Sequence, residues 1–386
     1  MVKQRVVYVL GAGFSQPYGL PVMSTFMDRA RDIYERNKDK YHNLGQVIRE
    51  LERLNSHSLR IDISNIEEVL SVLEVGSLLR DGQEIGGLDA EQMKYFIRTV
   101  ITENTKRIPN QDEDDNVSDG WPRHIFNDRG GIFSEYGFFV ASLFGISVSA
   151  SVSNDSSGIP RLNGGMQFSQ SDQKEVEYTI VTTNYDRVLQ NFEEYINARL
   201  KDPPRDRIEF VDKYEMAPKP TRAPVVPLLK LHGTVESAPD ITPHNDITVM
   251  TWNKNLMKPE TARALREAYQ AIRSAHHIRI IGYSLPETDS YLKYLLKAAT
   301  LNHPNLKSID VLTLDDELGS TKSRYQTLLG EKPIRWKSDD VTNYLRRILD
   351  MAPTYVRNGN LSFGWLEEAH RYFFEHAEWL RMRDVR

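Results

Sequence analysis

The chain has 386 residues, 40% hydrophobic and 27% charged, with a formal net charge of -5 and no cysteine. That length can bury a full core, either in one large domain with insertions or in two or three smaller ones. The absence of cysteine excludes disulfides and every thiolate-ligated zinc or iron–sulfur site, and the acidic balance argues against general attraction to nucleic-acid phosphates.

The first predicted element is a strand, Val6 to Leu10, running into Gly11-Ala12-Gly13-Phe14-Ser15. With a strand so close to the start, no signal peptide is expected. No apolar run approaches the roughly 20 residues that cross a bilayer, so a soluble cytoplasmic protein without a membrane partner is expected. A strand that stops at glycines leaves backbone N–H groups free to face an anion, and a missing Cβ lets a phosphate approach. Gln16 stands where the dinucleotide fingerprint G-x-G-x-x-G has its third glycine, and Pro17 follows it. A helix in the ordinary dehydrogenase position is therefore not expected; the next cap candidate is Ser24, ahead of Phe26, Met27, Ala30, Ile33 and Tyr34 on one face. A plain strand-to-loop turn explains the glycines equally well.

About 165 residues separate this strand from the next, far more than an ordinary crossover of a dozen or more. Residues 41–150 read as a helical insertion. Within it, Ser64 and Glu67 have capping-box spacing ahead of Ile66, Val69, Leu70 and Leu73, and a later helix carries Met93, Phe96, Ile97, Val100 and Ile101. The acidic run at 111–116 reads as a solvated loop, and the Ser/Asn/Gly-rich stretch from Ser147 to Gln173 as a long loop or mobile hairpin.

Further strands are predicted at Tyr178 to Thr182, Val225 to Leu231, His277 to Ile281, Ile309 to Leu314 and Ile334 to Trp336. Amphipathic helices stand between several of them, one with Val188, Leu189, Phe192, Tyr195 and Ile196 and one with Leu292, Leu295, Leu296 and Ala299. Strands alternating with helices imply an α/β fold with a doubly wound parallel sheet. Residues 336–386 read as a C-terminal helical extension, ending in an aromatic-rich helix that suits core packing or a subunit interface.

Four of these strands end in residues with chemistry. The first ends at the glycine turn. The second ends at Thr183 and Asn184, with Asp186 placed to cap the next helix. The third ends at His232 before Gly233, and the fourth at Gly282 and Ser284, with Thr288 or Asp289 as the following cap. Each has a structural explanation alone: a turn, a cap, a hydrogen-bonded histidine. In a parallel sheet, however, all four converge on the carboxyl edge, where ligands bind near the point of reversed strand order.

GAGFS, TTNYD, LHG and GYS, in that order and on those strands, resemble the sirtuin (silent information regulator) family, and more closely its bacterial NAD hydrolases of anti-phage defence. The resemblance covers roughly 1–40 and 175–330. It implies a Rossmann-type, sirtuin-like domain from 1–40 and 151–335. It also implies an NAD pyrophosphate held by Gly11, Ala12, Gly13 and Ser15, and a nicotinamide ribose and water held by Asn184 and Asp186 beside Thr183. His232 corresponds to the catalytic histidine, and Gly282 and Ser284 lie by the adenosine ribose, with Asp289 a further candidate. Protein deacetylases of this fold carry a zinc module held by four cysteines. This chain cannot build one, and His276 and His277 are adjacent in a strand and so face opposite ways; no zinc is expected.

NAD is therefore expected as substrate, cleaved to nicotinamide and ADP-ribose. Nicotinamide leaves as a neutral base, so the enzyme must chiefly place and activate a nucleophile at an oxocarbenium-like centre. Neutral imidazole, with an ordinary pKa of about 6.5, can accept a proton near neutral pH. The resemblance also implies homo-oligomers and a possible HerA-type hexameric ATPase partner. Two other readings stay open: a non-catalytic module sensing NAD or ADP-ribose to gate a partner, and a nucleic-acid-processing subunit. Basic loops at 201–207 and 213–222 favour the latter; the net charge and the lack of a carboxylate-rich metal motif oppose it.

Overall fold

The computed structural model describes residues 3–56, 63, 65–79, 87–106, 108, 132–154, 160–170, 176–198, 207–214, 224–235, 247, 259–287, 289–330, 332–351, 356–357, 360–361 and 365–380. The strands in chain order are β1 (Gln4–Leu10), β2 (Ile146–Asn154), β3 (Pro160–Gln170), β4 (Val176–Thr182), β5 (Glu209–Val211) and β6 (Val225–Lys230). They continue with β7 (His277–Ile281), β8 (Ser308–Leu312), β9 (Ile334–Lys337), β10 (Val356–Arg357), β11 (Asn360–Leu361) and β12 (Glu378–Leu380). The helices are α1 (Ala12–Ser15), α2 (Phe26–Arg36), α3 (His42–Ser56), α4 (Ile66–Leu79), α5 (Ala90–Asn104) and α6 (Ile132–Phe144). After them come α7 (Val188–Asn197), α8 (Pro259–Ser274), α9 (Ser290–Thr300), α10 (Ser320–Leu329), α11 (Val341–Met351) and α12 (Trp365–Phe373).

Eight strands form one sheet in the order β12-β9-β8-β7-β1-β4-β6-β5, parallel except for β12, which pairs antiparallel with β9. From β1 the chain adds β4 and then β6 and β5 on one side, and returns to lay β7, β8 and β9 on the other. This is the α/β doubly wound arrangement of the Rossmann type, and β1 stands at its reversal point. β1 shows why such strands form. Its run QRVVYVL is rich in β-branched and aromatic residues, and its alternate side chains enter opposite cores. Val6, Tyr8 and Leu10 face one cluster, with side chains from α2 to α7, α11 and α12. Val7 and Val9 face the other, with α8, α9 and α10. Burying each such aliphatic side chain contributes about 1.5–3 kcal/mol. From Ser134 to Phe144, α6 is buried throughout, which places it between the sheet and other helices.

The predicted apolar stripes are the buried ones: Met93, Phe96, Ile97, Val100 and Ile101 on α5, and Val188, Leu189, Phe192, Tyr195 and Ile196 on α7. Several local expectations are corrected. Ser24 caps nothing; it lies inside a 3-10 turn, Met23–Thr25, whose N-cap is Val22. The chain turns helical within the glycine turn itself, as α1 from Ala12 followed by a 3-10 turn over Gln16–Tyr18, because Pro17 is tolerated at the start of a helical turn. The aromatic C-terminal helix stops at Phe373, and Glu378–Leu380 is a sheet strand. In the stretch read as a long loop or mobile hairpin, β2 and β3 do pair antiparallel, in keeping with the hairpin alternative, and they join β11 and β10 in a second, antiparallel sheet. Ser64 lies outside the described residues; the N–H of Glu68 is held by Asn65 Oδ1 at 3.2 Å. A full capping box instead opens α5, between Asp89 and Gln92.

Candidate functional site

Because β7, β1, β4 and β6 are neighbours, their carboxyl ends lie side by side. The turn after β1 is bound first to β7. Gly11 N–H donates to Ile281 O at 3.1 Å, and Gly13 N–H to Gly282 O at 2.9 Å. A Cβ on Gly11 would stand 2.6 Å from Gly282 O and from Tyr283 Cα; one on Gly13 would stand 2.9 Å from Gly282 O. Gly282 itself has φ +65°, and a Cβ there would lie 2.5 Å from Gly13 C. The glycines are thus required by backbone packing between two strand ends, a reason the sequence pattern did not reveal. Ala12 is exposed and Gly13 half-buried, so the turn presents those two positions outward.

The β4 end is tied to the same turn. Thr182 Oγ1 donates to Leu10 O at 2.9 Å and accepts from Asn184 N–H at 3.0 Å. Asn184 Nδ2 then donates to Gly11 O at 2.9 Å and to Ser15 Oγ at 3.0 Å. A carbonyl oxygen can only accept, so the amide orientation is fixed by chemistry and Asn184 Oδ1 points elsewhere. Ser15 is buried at 3% exposure, and Thr183, next to Asn184 in sequence, is buried as well. Asp186 spends Oδ1 on Val188 N–H at 3.0 Å, at the start of α7, while its backbone carbonyl accepts from Lys230 Nζ.

His232 follows β6 and is buried at 4% exposure. Its ring lies 5.7 Å from the ring of Tyr185, the residue after Asn184, and Val235 N–H donates to Tyr185 O at 2.8 Å. The β6 end therefore docks against the β4 end as the β7 end docks against β1. Ser284 is exposed, and its carbonyl accepts from Arg324 at 3.1 Å. Asp289 is turned away into structure: Oδ1 caps α9 through Leu292 N–H at 3.1 Å, and Oδ2 accepts from the Tyr283 hydroxyl at 2.7 Å. Thr288 lies outside the described residues.

Three contributors escaped the sequence reading. Tyr136, on α6, donates its phenol to Phe14 O, with its ring edge-on to Phe14 at 5.2 Å. Burial, with the charge of Asp186 secondary, holds that phenol well above its ordinary pKa, so it remains a donor. Thr182 and Lys230 each join two strand ends. No local motif marks Tyr136; Thr182 and Lys230 stand at strand ends, but only register shows what they reach. Among the described residues there is no cluster of His, Asp or Glu suited to a metal, and no helix long and apolar enough to cross a membrane.

Residues 178–341 match a family model described as a SIR2-like domain. The match includes Asn184, His232, Gly282 and Ser284 and begins beyond the glycine turn. Among solved structures, Sir2Tm bound to a propionylated peptide is similar at 13% identity, over 91% of this chain and 94% of that one, with a TM-score of 0.35. SIR2 in complex with the inhibitor EX-527, 2'-O-acetyl-ADP-ribose and a deacetylated p53-peptide is similar at 12% identity, over 91% and 95%, with a TM-score of 0.35. No curated protein matches the chain.

Proposed function

We propose that this chain is an NAD glycohydrolase that releases nicotinamide and ADP-ribose. The observation that carries the reading is the Asn184 amide, which bridges Gly11 O and Ser15 Oγ and so joins the glycine turn to the β4 end within the segment matched to a SIR2-like domain. Its support is chemical. With two amide hydrogens committed, Asn184 offers Oδ1 as an acceptor, suited to a ribose hydroxyl or an attacking water held in line. His232, one strand further, serves as the base that takes the water proton. The glycine turn, with Ala12 outward, faces the pyrophosphate through its lack of side chains, since the Gly11 and Gly13 N–H groups expected to be free for an anion are spent on the β7 end. Ser15 and Asp186 tie the neighbouring strand ends together, Thr183 stands next to Asn184, and Gly282 and Ser284 border the adenosine half.

Purified protein incubated with NAD should release nicotinamide. Asn184→Ala and His232→Ala should each lower turnover of the folded variant by about 10²-fold or more, with some loss of stability from the missing contacts. Wild-type rates in both variants would refute the assignment; NAD binding by calorimetry with no nicotinamide released would favour a sensing module. A role in anti-phage defence, self-assembly and a HerA-type ATPase partner belong to the same reading. They are tested by phage challenge of cells carrying Asn184→Ala, by light scattering and by co-purification.

A further inference from the structure

The sheet carries opposite charge at its two edges. Parallel strands begin together, and Arg5, His276, Lys307 and Lys332 stand at or just before the starts of the neighbours β1, β7, β8 and β9. Lys307 N–H donates to His276 O at 2.8 Å, and His276 N–H to Arg5 O at 2.8 Å, so these starts are in contact. Arg273, at the end of α8, joins them by donating to Asn302 O at 3.0 Å, beside Leu301, which is 63% exposed. Burial, and then the charges of Lys307 and Arg5, pulls the His276 pKa down. The nearby acid Glu177 is spent on Lys3 and Arg5, at 3.3 and 3.7 Å.

At the far ends of β8 and β9 the sign reverses. β8 runs into Leu314-Asp315-Asp316-Glu317-Leu318 and β9 into Ser338-Asp339-Asp340, and the two runs adjoin, because Asp315 N–H donates to Ser338 Oγ at 3.2 Å. Two cations close by are spent elsewhere, Lys322 on Glu378 at 2.6 Å and Lys337 on Phe373 O at 2.8 Å. Leu314 and Leu318 flank the acids at 62% and 91% exposure. Helix ends explain part of the pattern. Asp315 and Asp316 accept from Thr321 and Ser320 N–H at the start of α10, at 2.9 and 2.7 Å, and Asp340 from Asn343 N–H at the start of α11, at 2.8 Å. They do not explain Glu317, Lys307 and Lys332, whose side chains have no hydrogen bond or ion pair among the described residues. Nor do they explain two leucines held in water on one acidic loop.

Both patches carry exposed leucine among charges of one sign, and the signs are complementary. Because they stand at opposite ends of the same strands, a two-fold pair cannot satisfy both; a second copy following the first in like orientation can. We propose that the chain associates head to tail with itself, the Leu314–Leu318 loop of one copy docking on the basic corner around Leu301 and Lys307 of the next, with leucines at the centre and charges at the rim. The family resemblance leaves the surface and polarity of self-assembly open; the charge pattern names both, and no step of it depends on the NAD reading.

Light scattering on the full chain at low ionic strength should show a mass that climbs with concentration. Two variants each spoil one end at exposed or half-exposed positions: Lys307→Glu with Lys332→Glu, and Leu314→Ser with Leu318→Ser. Each alone should keep the wild-type circular dichroism and weaken association at least about tenfold. Mixed in equal amounts they should form dimers and stop there, since one intact acidic loop and one intact basic corner remain to meet. The leucine variant keeps the test valid if the lysine variant misfolds. A wild type that stays monomeric at every concentration would overturn the proposal. So would either variant assembling like the wild type, or a mixture that forms no dimer or grows past it. Single-stranded DNA bound by the wild type and released by the lysine variant, with assembly unchanged, would give the corner to a phosphate backbone instead.

Discussion

Gly282→Ala is the sharpest probe of how the candidate site is built, because two separable penalties fall on one atom. The φ of +65° costs an L side chain about 1–2 kcal/mol. The added Cβ would also press on the glycine turn, 2.5 Å from Gly13 C and 3.0 Å from Gly13 Cα, and these are backbone atoms that cannot rotate aside. Overpacking of that kind costs typically about 1–3 kcal/mol. Gly145 supplies the internal control: its φ is +67°, nearly the same, with nothing within 4 Å of a built Cβ. Gly145→Ala should therefore lose only the conformational part, about 1–2 kcal/mol, and Gly282→Ala roughly 2–5 kcal/mol in all. Urea unfolding read by circular dichroism gives both values. Because the turn must move to relieve the contact, NAD consumption by folded Gly282→Ala should fall as well, while Gly145→Ala keeps its rate. Equal destabilisation of the two variants would refute the claim that the β7 end is packed against the turn.

Three further outcomes follow from the same geometry. Burial pulls the His370 pKa from 6.5 down to about 4, against the opposing hydrogen bond to Asp310. The unfolded chain then binds more protons between those values, so stability is fully present above pH 6.5, declines as pH falls toward 4, and changes no further below it on this account. Denaturant midpoints should show the decline, and His370→Gln should flatten it; an unchanged slope in that variant would remove His370 as its source. Tyr136→Phe strands the buried Phe14 carbonyl, at a cost of about 1–3 kcal/mol; a raised KM for NAD with little change in kcat is expected, and steady-state kinetics with unaltered KM would show that the turn does not need the phenol. Asp289→Asn should retain NAD consumption within about threefold, since an asparagine still caps α9, whereas Asp289→Ala should lose about 1–2 kcal/mol in urea unfolding; a selective loss of NAD binding in Asp289→Asn would contradict its structural role.

What could be read from the residues followed from how local their cause is. The β-branched apolar run of β1 records a strand buried on both faces, and the stripes on α5 and α7 record which side faces a core, so these strand and helix positions were legible from local composition and period. The four strand-end motifs were legible because turn chemistry is local and a parallel sheet then supplies the convergence. The roles inside the site were not. Gly11, Gly13 and Gly282 are small for each other's sake, and that depends on which strands are neighbours. Asp289 and Asp186 are engaged by helix starts, as their spacing suggested, yet Asp289 also receives the Tyr283 hydroxyl. The strand at Glu378–Leu380 was missed because three residues with one buried side chain carry almost no periodicity.

The charged contact between β7 and α12 was illegible for a stronger reason. Arg279 interrupts HIRII, a run that otherwise reads as a buried strand, and nothing in the sequence names its partners, the Tyr8 hydroxyl and the Glu367 carboxylate of α12. Charges removed from water so completely are weak sources of net stability, because their attraction mainly offsets the desolvation they suffer. Their effect is on geometry: a bidentate arginine permits one orientation of Glu367 and hence one seating of α12 on the sheet. Three residues later, just past the end of that strand, stands Gly282, whose close fit to the glycine turn also permits one arrangement. β7 is thus fixed at its middle by charge and at its end by the lack of a side chain. The strand beside the sheet's reversal point is held more tightly than burial alone would require, and a rigid strand end is what a site assembled from four separate loops needs.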